Sequence, residues 1–413
     1  MPSPEFFNVK PVSEALQLVL DHWQPKLPIE TIPTASAIGR ITADSIHAPV
    51  DIPSFRKSTV DGYAVIAKDT FGASQSLPAY LNLTGEITMG DDAHTLPIGQ
   101  HEAVRIHTGG MLPDDVDAVV MIEYTQVLAD DEIEVLKPVA SGENVIQVGE
   151  DVREQDTILS AFHRIRPQDI GGLLAAGITE IDVLYRPRVG ILSCGDELVD
   201  PTQTPAQGQI RDINAYTLSG LVQTAGGEPI RLGIAPDKLD EYKQSALDGF
   251  AQSDILVLTA GSSVSARDYT RDVIEHLGTP GILQHGLATK PGKPTILAVC
   301  DNKPVIGLPG NPVSALLVAR QILPALIAHA CQQTITPPPT QQATLSTNIA
   351  SMTGREDWVA VRLKHDADKP LIAEPIFGKS NLIYTLIQAD GLITIPINSG
   401  GLKAGTIVDV IPF

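Results

Sequence analysis

Hydrophobic positions first recur at helical spacing between Ser13 and Trp23, with Ala15, Leu16, Leu18, Val19, Leu20 and Trp23. Ser13 stands where an N-cap is expected. From about Ala48 to Gln147 the texture changes. Short β-type runs (Ala79 to Leu83, Ala103 to His107, Ala118 to Glu123, Glu132 to Leu136) alternate with turns rich in Gly, Pro and Asp, which predicts a small β domain. Leu173 to Ala176 then reads as a short apolar helix closed by Gly177 as C-cap. That order is compatible with a discontinuous N-terminal mixed domain (1–47 and 149–187) into which a β-rich domain (48–148) is inserted.

Between Arg188 and about Cys331 the pattern becomes α/β. Strands are expected at Val189 to Ser193, Pro229 to Ile234, Asp254 to Leu258, Ile296 to Val299 and Val305 to Leu308. Between and after them fall helices at Ala215 to Thr224, Leu239 to Phe250 and Asp272 to Leu277, and a long one from Pro312. Apolar strands alternating with amphipathic helices imply a mainly parallel sheet covered on both faces, here within a domain spanning 188–333. Three consecutive prolines, Pro337 to Pro339, stiffen a linker. Beyond it, 334–413 reads as a C-terminal β domain with strands at Trp358 to Leu363, Leu392 to Ile395 and Ile407 to Ile411. The fold class is therefore multidomain α/β plus β.

Composition narrows the function. A net charge of −20 over 413 residues disfavours a nucleic-acid or acidic-membrane surface, which needs a Lys/Arg footprint. It leaves room for a small anion held by local cations, backbone N–H groups or a bridging metal. Cys194, Cys300 and Cys331 are far apart and form no C-x-x-C pair, so neither a zinc cluster nor a disulfide framework is expected, and a reducing, cytoplasmic setting is. The N-terminus lacks a basic region followed by an apolar core. The apolar stretch Val313 to Ala330 carries Arg320 and Pro324 and reads as a buried helix, not a membrane span.

Ligands of parallel α/β sheets sit beyond the carboxyl ends of the strands, and four polar or Gly-rich segments fall at such ends. Ser193-Cys194-Gly195-Asp196-Glu197 presents two carboxylates able to take Mg²⁺ or cap a turn. Thr259 to Tyr269, with Gly261, Ser262, Ser263 and Asp268, reads either as a phosphate-approaching loop or as a plain one. Lys290-Pro291-Gly292-Lys293-Pro294 concentrates two cations in a proline-restricted turn, against the alternative of two surface lysines. In Gly307 to Ala315, Asn311 as N-cap and Pro312 at the first helical position predict a helix start whose N–H groups favour an anion; any well-made helix start would look the same. The ten histidines show no metal-ligand spacing, and His107 and His285 read as packing or hydrogen-bonding residues. There is no nucleophile elbow and no Cys/His pattern.

The motifs STVDGYAV (from Ser58), GEDV (from Gly149), GDEL (from Gly195), KPGKP (from Lys290) and GLPGNPVSA (from Gly307), with GREDW (from Gly354) and GKSN (from Gly378), occur in order over nearly the whole chain. In these it resembles the molybdopterin molybdenumtransferase family, which includes the carboxy-terminal domain of gephyrin. The resemblance implies an elongated four-domain protomer, a three-layer α/β domain like molybdopterin adenylyltransferase, and a homodimer whose active site is shared between subunits. Other molybdenum cofactor biosynthesis proteins are the implied partners. The implied substrates are molybdate and adenylylated molybdopterin, with Mg²⁺ neutralising the pyrophosphate and AMP released. By the same resemblance Lys290, Lys293, Ser314, Arg355 and Ser380 would take molybdate, and Glu197 and Asp268 the metal. Gly261, Ser262, Ser263, Pro309, Asn311 and Pro312 would bind substrate. Asp237 would add a carboxylate, and Asp61, Thr108 and Asp151 would face the partner's site.

Four positions depart from the family pattern: Cys194 for Thr, Ala260 for the first of two glycines, Ser265 for Gly, and Ile213 within Asp212-Ile213-Asn214. A Cβ at 260 or 265 would hinder positive φ or close phosphate approach. Two other readings therefore stand beside the enzyme: a divergent relative binding a pterin or nucleotide, and a dimeric scaffold.

Overall fold

Apolar residues alternate along the central strands of the α/β region, and each set buries a different layer of helices. The computed structural model describes residues 8–94, 96–260, 264–365 and 370–413, apart from the side chains of 264–268. It divides the chain into two compact units, Met1–Glu30, Gly39–Ile41 and Val183–Phe413 in one, Thr31–Ile38 and Thr42–Asp182 in the other.

In the first unit, α1 (Val12–His22) is followed by β1 (Arg188–Cys194), α2 (Asn214–Ala225), β2 (Glu228–Ala235), α3 (Leu239–Gln252), β3 (Ile255–Ala260), α4 (Val264–His276), β4 (Pro280–His285), β5 (Thr289–Lys290), β6 (Ile296–Cys300), β7 (Lys303–Pro309) and α5 (Pro312–Ala330). The six-stranded sheet has the order β2-β1-β3-β7-β6-β4. β2, β1, β3 and β7 are parallel, and β6 and β4 complete the sheet antiparallel. Val189, Ile191, Ile255 and Val257 pack under α1, α2 and α5; Leu192, Cys194, Leu256 and Leu258 pack under α3 and α4. This two-sided burial is what a parallel sheet requires.

Three expectations are corrected. α1 starts at Val12 after Pro11, so Ser13 lies inside the helix and does not cap it. Its buried face, Val12, Ala15, Val19 and Trp23, joins the α/β core and not a separate N-terminal domain; the His329 ring nitrogen bonds the Trp23 carbonyl at 3.1 Å. The helix expected from Asp272 begins at Val264. α5 runs through Pro324, and most of its apolar side chains are buried in the α/β core.

The C-terminal strands β8 (Gln341–Leu345), β9 (Glu356–Lys364), β10 (Ile372–Pro375), β11 (Gly391–Ile395) and β12 (Ile407–Pro412) pair in the order β9-β10-β8-β12-β11 and close through β11 back onto β9. Closure leaves this small barrel without open edges. The two-residue strand β5 adds itself in parallel to β9, placing Thr289 opposite Glu356 and Lys290 opposite Asp357.

The second unit holds a six-stranded mixed sheet ordered Ala118–Met121, Gly62–Val65, Glu102–Ile106, Ala79–Ile87, Glu132–Val135, Thr125–Ala129. A Cβ on Gly62 would lie 1.9 Å from the Val120 carbonyl oxygen, so the glycine of the DGY motif is demanded by backbone approach across the sheet. The helix Pro167–Ala175 is capped by Asp169, whose buried carboxylate accepts from the Arg166 backbone and guanidinium and bonds the His163 ring; these donors hold it well below the usual carboxylate range. Gly177, at φ 75°, closes that helix as expected.

Candidate active site

The lysine turn, the start of α5 and the rim of the barrel meet around one cavity of about 930 Å³ in the first unit. Lys290, Lys293, Ser314, Arg355 and Ser380 all line it, with Pro309 and Asn311. Four cations (Lys290, Lys293, Arg355, Lys379) face one carboxylate, Asp357, among the lining residues. A protein of charge −20 thus keeps a locally positive pocket, which favours a small anion over a broad anionic surface.

Each wall has a local cause. Gly292, at φ 103°, bends the lysine turn where no side chain fits: a Cβ there would meet Val318 Cγ2 at 2.1 Å. The Gly292 carbonyl accepts from the Thr295 backbone and hydroxyl at 3.2 and 2.8 Å, closing the turn. Pro312 opens α5 after Asn311, whose side chain makes no capping bond. The expectation of exposed N–H groups at this helix start narrows to Ser314. Pro312 has none, Val313 donates to the Ser380 carbonyl at 3.0 Å and Ala315 to the Asn311 carbonyl at 2.9 Å. Side chains, above all the lysines and Arg355, therefore supply most of the attraction.

Asp357 lies within the GREDW motif, where nothing in the local pattern sets it apart from Glu356. It is 4% exposed and accepts from Arg355 Nε at 2.8 Å and Nη2 at 3.4 Å, with Lys290 Nζ at 3.9 Å. Phe377 and Met352, each 66% exposed, form apolar parts of the same wall.

A smaller cavity of about 190 Å³ lies at the carboxyl ends of β3 and β7, lined by Ala260, His285 and Gly307 to Asn311. It shares Pro294, Pro309 and Asn311 with the larger one. Gly261, Ser262, Ser263 and the Asp268 side chain, expected beside it, lie outside the described residues, as does the Ser265 side chain. Ala260 is the last residue of the extended strand β3, so its Cβ meets no left-handed backbone there.

Glu197 and Asp237 stand beyond β1 and β2. Cys194, buried at the end of β1, donates its thiol to Asp237 Oδ1 at 3.3 Å, and the Asp237 N–H donates to Asp196 Oδ1 at 3.1 Å. Burial first, then the hydrogen bond and charge of Asp237, push the thiol far above its ordinary value. Cys194 stays protonated, and the carboxylates of Glu197 and Asp237 offer hard oxygens, the donors Mg²⁺ takes. Among the described residues no group of three His, Cys, Asp or Glu side chains converges for a metal.

In the second unit, Asp61 and Thr108 come together: Thr108 donates to Asp61 Oδ1 from its N–H at 2.8 Å and from its hydroxyl at 3.3 Å. The backbone bond leads the lowering of the Asp61 pKa. His107 stands behind the pair, Nδ1 3.7 Å from Asp61 and Nε2 2.8 Å from Glu86, the hydrogen-bonding role expected of it. Asp151 lies in a different turn, its N–H donating to the Ile52 carbonyl at 3.0 Å.

Comparison with known proteins bears on this arrangement. Residues 10–177 match the MoeA N-terminal region (domain I and II), 190–329 a probable molybdopterin binding domain, and 342–413 the MoeA C-terminal region (domain IV). A molybdopterin molybdenumtransferase of Haemophilus influenzae is 32% identical, covering 91% of this chain and 92% of its own. One from Staphylococcus aureus is 30% identical over 98% and 96%. The solved structure of a molybdopterin biosynthesis MoeA protein from Pyrococcus horikoshii superposes with a TM-score of 0.85 at 34% identity, covering 98% of this chain and 99% of that one. By its three matched regions and its near-full-length relatives, the chain belongs to the MoeA family of molybdopterin molybdenumtransferases.

Proposed function

We propose that the protein inserts molybdenum from molybdate into adenylylated molybdopterin and releases AMP. The observation that carries this reading is the cavity in which Lys290, Lys293, Ser314, Arg355 and Ser380 converge. Molybdate is a tetrahedral dianion, and charged and hydroxyl donors from several directions suit it. Lys290 and Arg355 bind and orient the oxyanion; the adjoining cavity at the ends of β3 and β7, with Pro309 and Asn311, receives the phosphate side of the pterin substrate. Glu197, with Asp268, would hold Mg²⁺, which when bound neutralises pyrophosphate charge. Electrostatic positioning does the work, and no protein nucleophile is needed.

Purified protein supplied with adenylylated molybdopterin, Mg²⁺ and molybdate should release AMP in step with metal incorporation, and omitting molybdate should stop both. AMP release that ignores molybdate would overturn the assignment.

We further infer a homodimer in which Asp61, Thr108 and Asp151 of one subunit serve the other's site. The Asp61–Thr108 pairing supports this, since it holds an ionised carboxylate on an exposed edge. Sedimentation at micromolar concentration should give a species of twice the 44.0 kDa chain mass; monomer alone would remove the shared site. A cytoplasmic location fits three buried free thiols, and other molybdenum cofactor biosynthesis proteins are the expected partners.

A further inference from the structure

Asp357 is the odd member of the cavity: a buried carboxylate in a pocket built to attract anions. A lone carboxylate there weakens anion binding by repulsion, so its presence calls for a compensating role. Its backbone is held from two sides, opposite Lys290 of β5 and opposite Ile395 of β11, and its side chain is 6% exposed. It is therefore a fixed charge. The Arg355 side chain is 31% exposed and is gripped along one edge, Nε at 2.8 Å and Nη2 at 3.4 Å. An arginine carries five N–H donors in a planar fork. With two directed at Asp357, the remaining three are presented in a set direction.

We propose that Asp357 is a positioning residue for oxyanion transfer, aiming the Arg355 fork at the bound tetrahedral anion before it arrives. This rests on the reading of the cavity as the molybdate site. Asp357 gives up some electrostatic attraction in exchange for order, and the gain is in turnover, because a reacting oxyanion misplaced by about 1 Å can cost on the order of 100-fold.

Two variants separate position from charge. Asp357→Asn removes the charge and one acceptor; Asp357→Glu keeps the charge and moves the carboxylate by one methylene. Molybdate-dependent AMP release at saturating molybdate is measured alongside molybdate binding by equilibrium dialysis. Both variants should lose about 10- to 100-fold in kcat, and in an Arg355→Ala background the same changes should cost less than about twofold more. Asp357→Glu carries the test by itself if the Asn variant does not fold, with Trp358 fluorescence, from the cavity lining, reporting the local fold. Wild-type kcat in Asp357→Glu, or losses that add fully to that of Arg355→Ala, would overturn the positioning role while leaving the molybdate site intact. A wild-type protein that binds no molybdate in dialysis would overturn both.

Discussion

Replacing Lys290 by alanine should cost about 30- to 150-fold in molybdate use while leaving the fold in place. Two unit charges about 4 Å apart interact by about 4 kcal/mol at an effective dielectric near 20, and solvent open to the cavity reduces this to about 2–3 kcal/mol, which corresponds to that range. The stability cost is small for a different reason. The Lys290 side chain is 62% exposed and its contact with Asp357 is long, at 3.9 Å, so the pair contributes little, and exposed substitutions of this kind usually stay within about 0.5 kcal/mol. Asp357 keeps its stronger partner, Arg355, at 2.8 Å. The measurement is the molybdate concentration dependence of AMP release, with an unfolding curve as control. Unchanged molybdate dependence in a folded variant would strip Lys290 of its assigned role.

What the amino-acid pattern disclosed, and what it hid, follows from whether a residue's role is local. β1 and β3 were legible because Val189 to Ser193 and Ile255 to Leu258 are apolar on both faces, a signature that burial between two helix layers produces. The lysine turn was legible because proline and glycine restrict it locally. By contrast, α1 has an apolar stripe that any partner could cover, and only the folded chain shows that the α/β core covers it. The pattern around Asn311 and Pro312 cannot show that the Val313 N–H is occupied, because its acceptor, the Ser380 carbonyl, lies 67 residues away in a loop of the barrel region. Asp357 looked like one of many acidic residues until the two-residue strand β5 brought Lys290 alongside it. Cys194, a departure from the family pattern, lies in the core with its thiol satisfied by Asp237, so the substitution exchanges one hydrogen-bond donor for another beside the carboxylate edge.

Gly292→Ala, a change of one methyl group that removes no charge and no hydrogen-bonding group, should do nearly as much harm to molybdate use as the loss of Lys290, and should also weaken the fold. The residue adopts φ 103°, where a side chain costs about 1–3 kcal/mol of backbone strain. Its Cβ would fall 2.1 Å from Val318 Cγ2, and Val318 is fully buried in α5, so overpacking adds about 1–3 kcal/mol. The turn and the helix must move apart, and both line the cavity: Lys290 and Lys293 from the turn, Ser314 from the helix, one helical turn before Val318. A combined loss of about 2–6 kcal/mol should appear as a lower denaturant midpoint followed by tryptophan fluorescence, which reports this unit because Trp23 and Trp358 both belong to it. Val318→Ala removes the methyl that blocks the new Cβ, so the double variant should be less impaired than the two single losses added together. Full additivity of Gly292→Ala and Val318→Ala would mean that backbone strain alone sets the requirement for glycine, and that contact with α5 does not hold the lysine turn against the helix start.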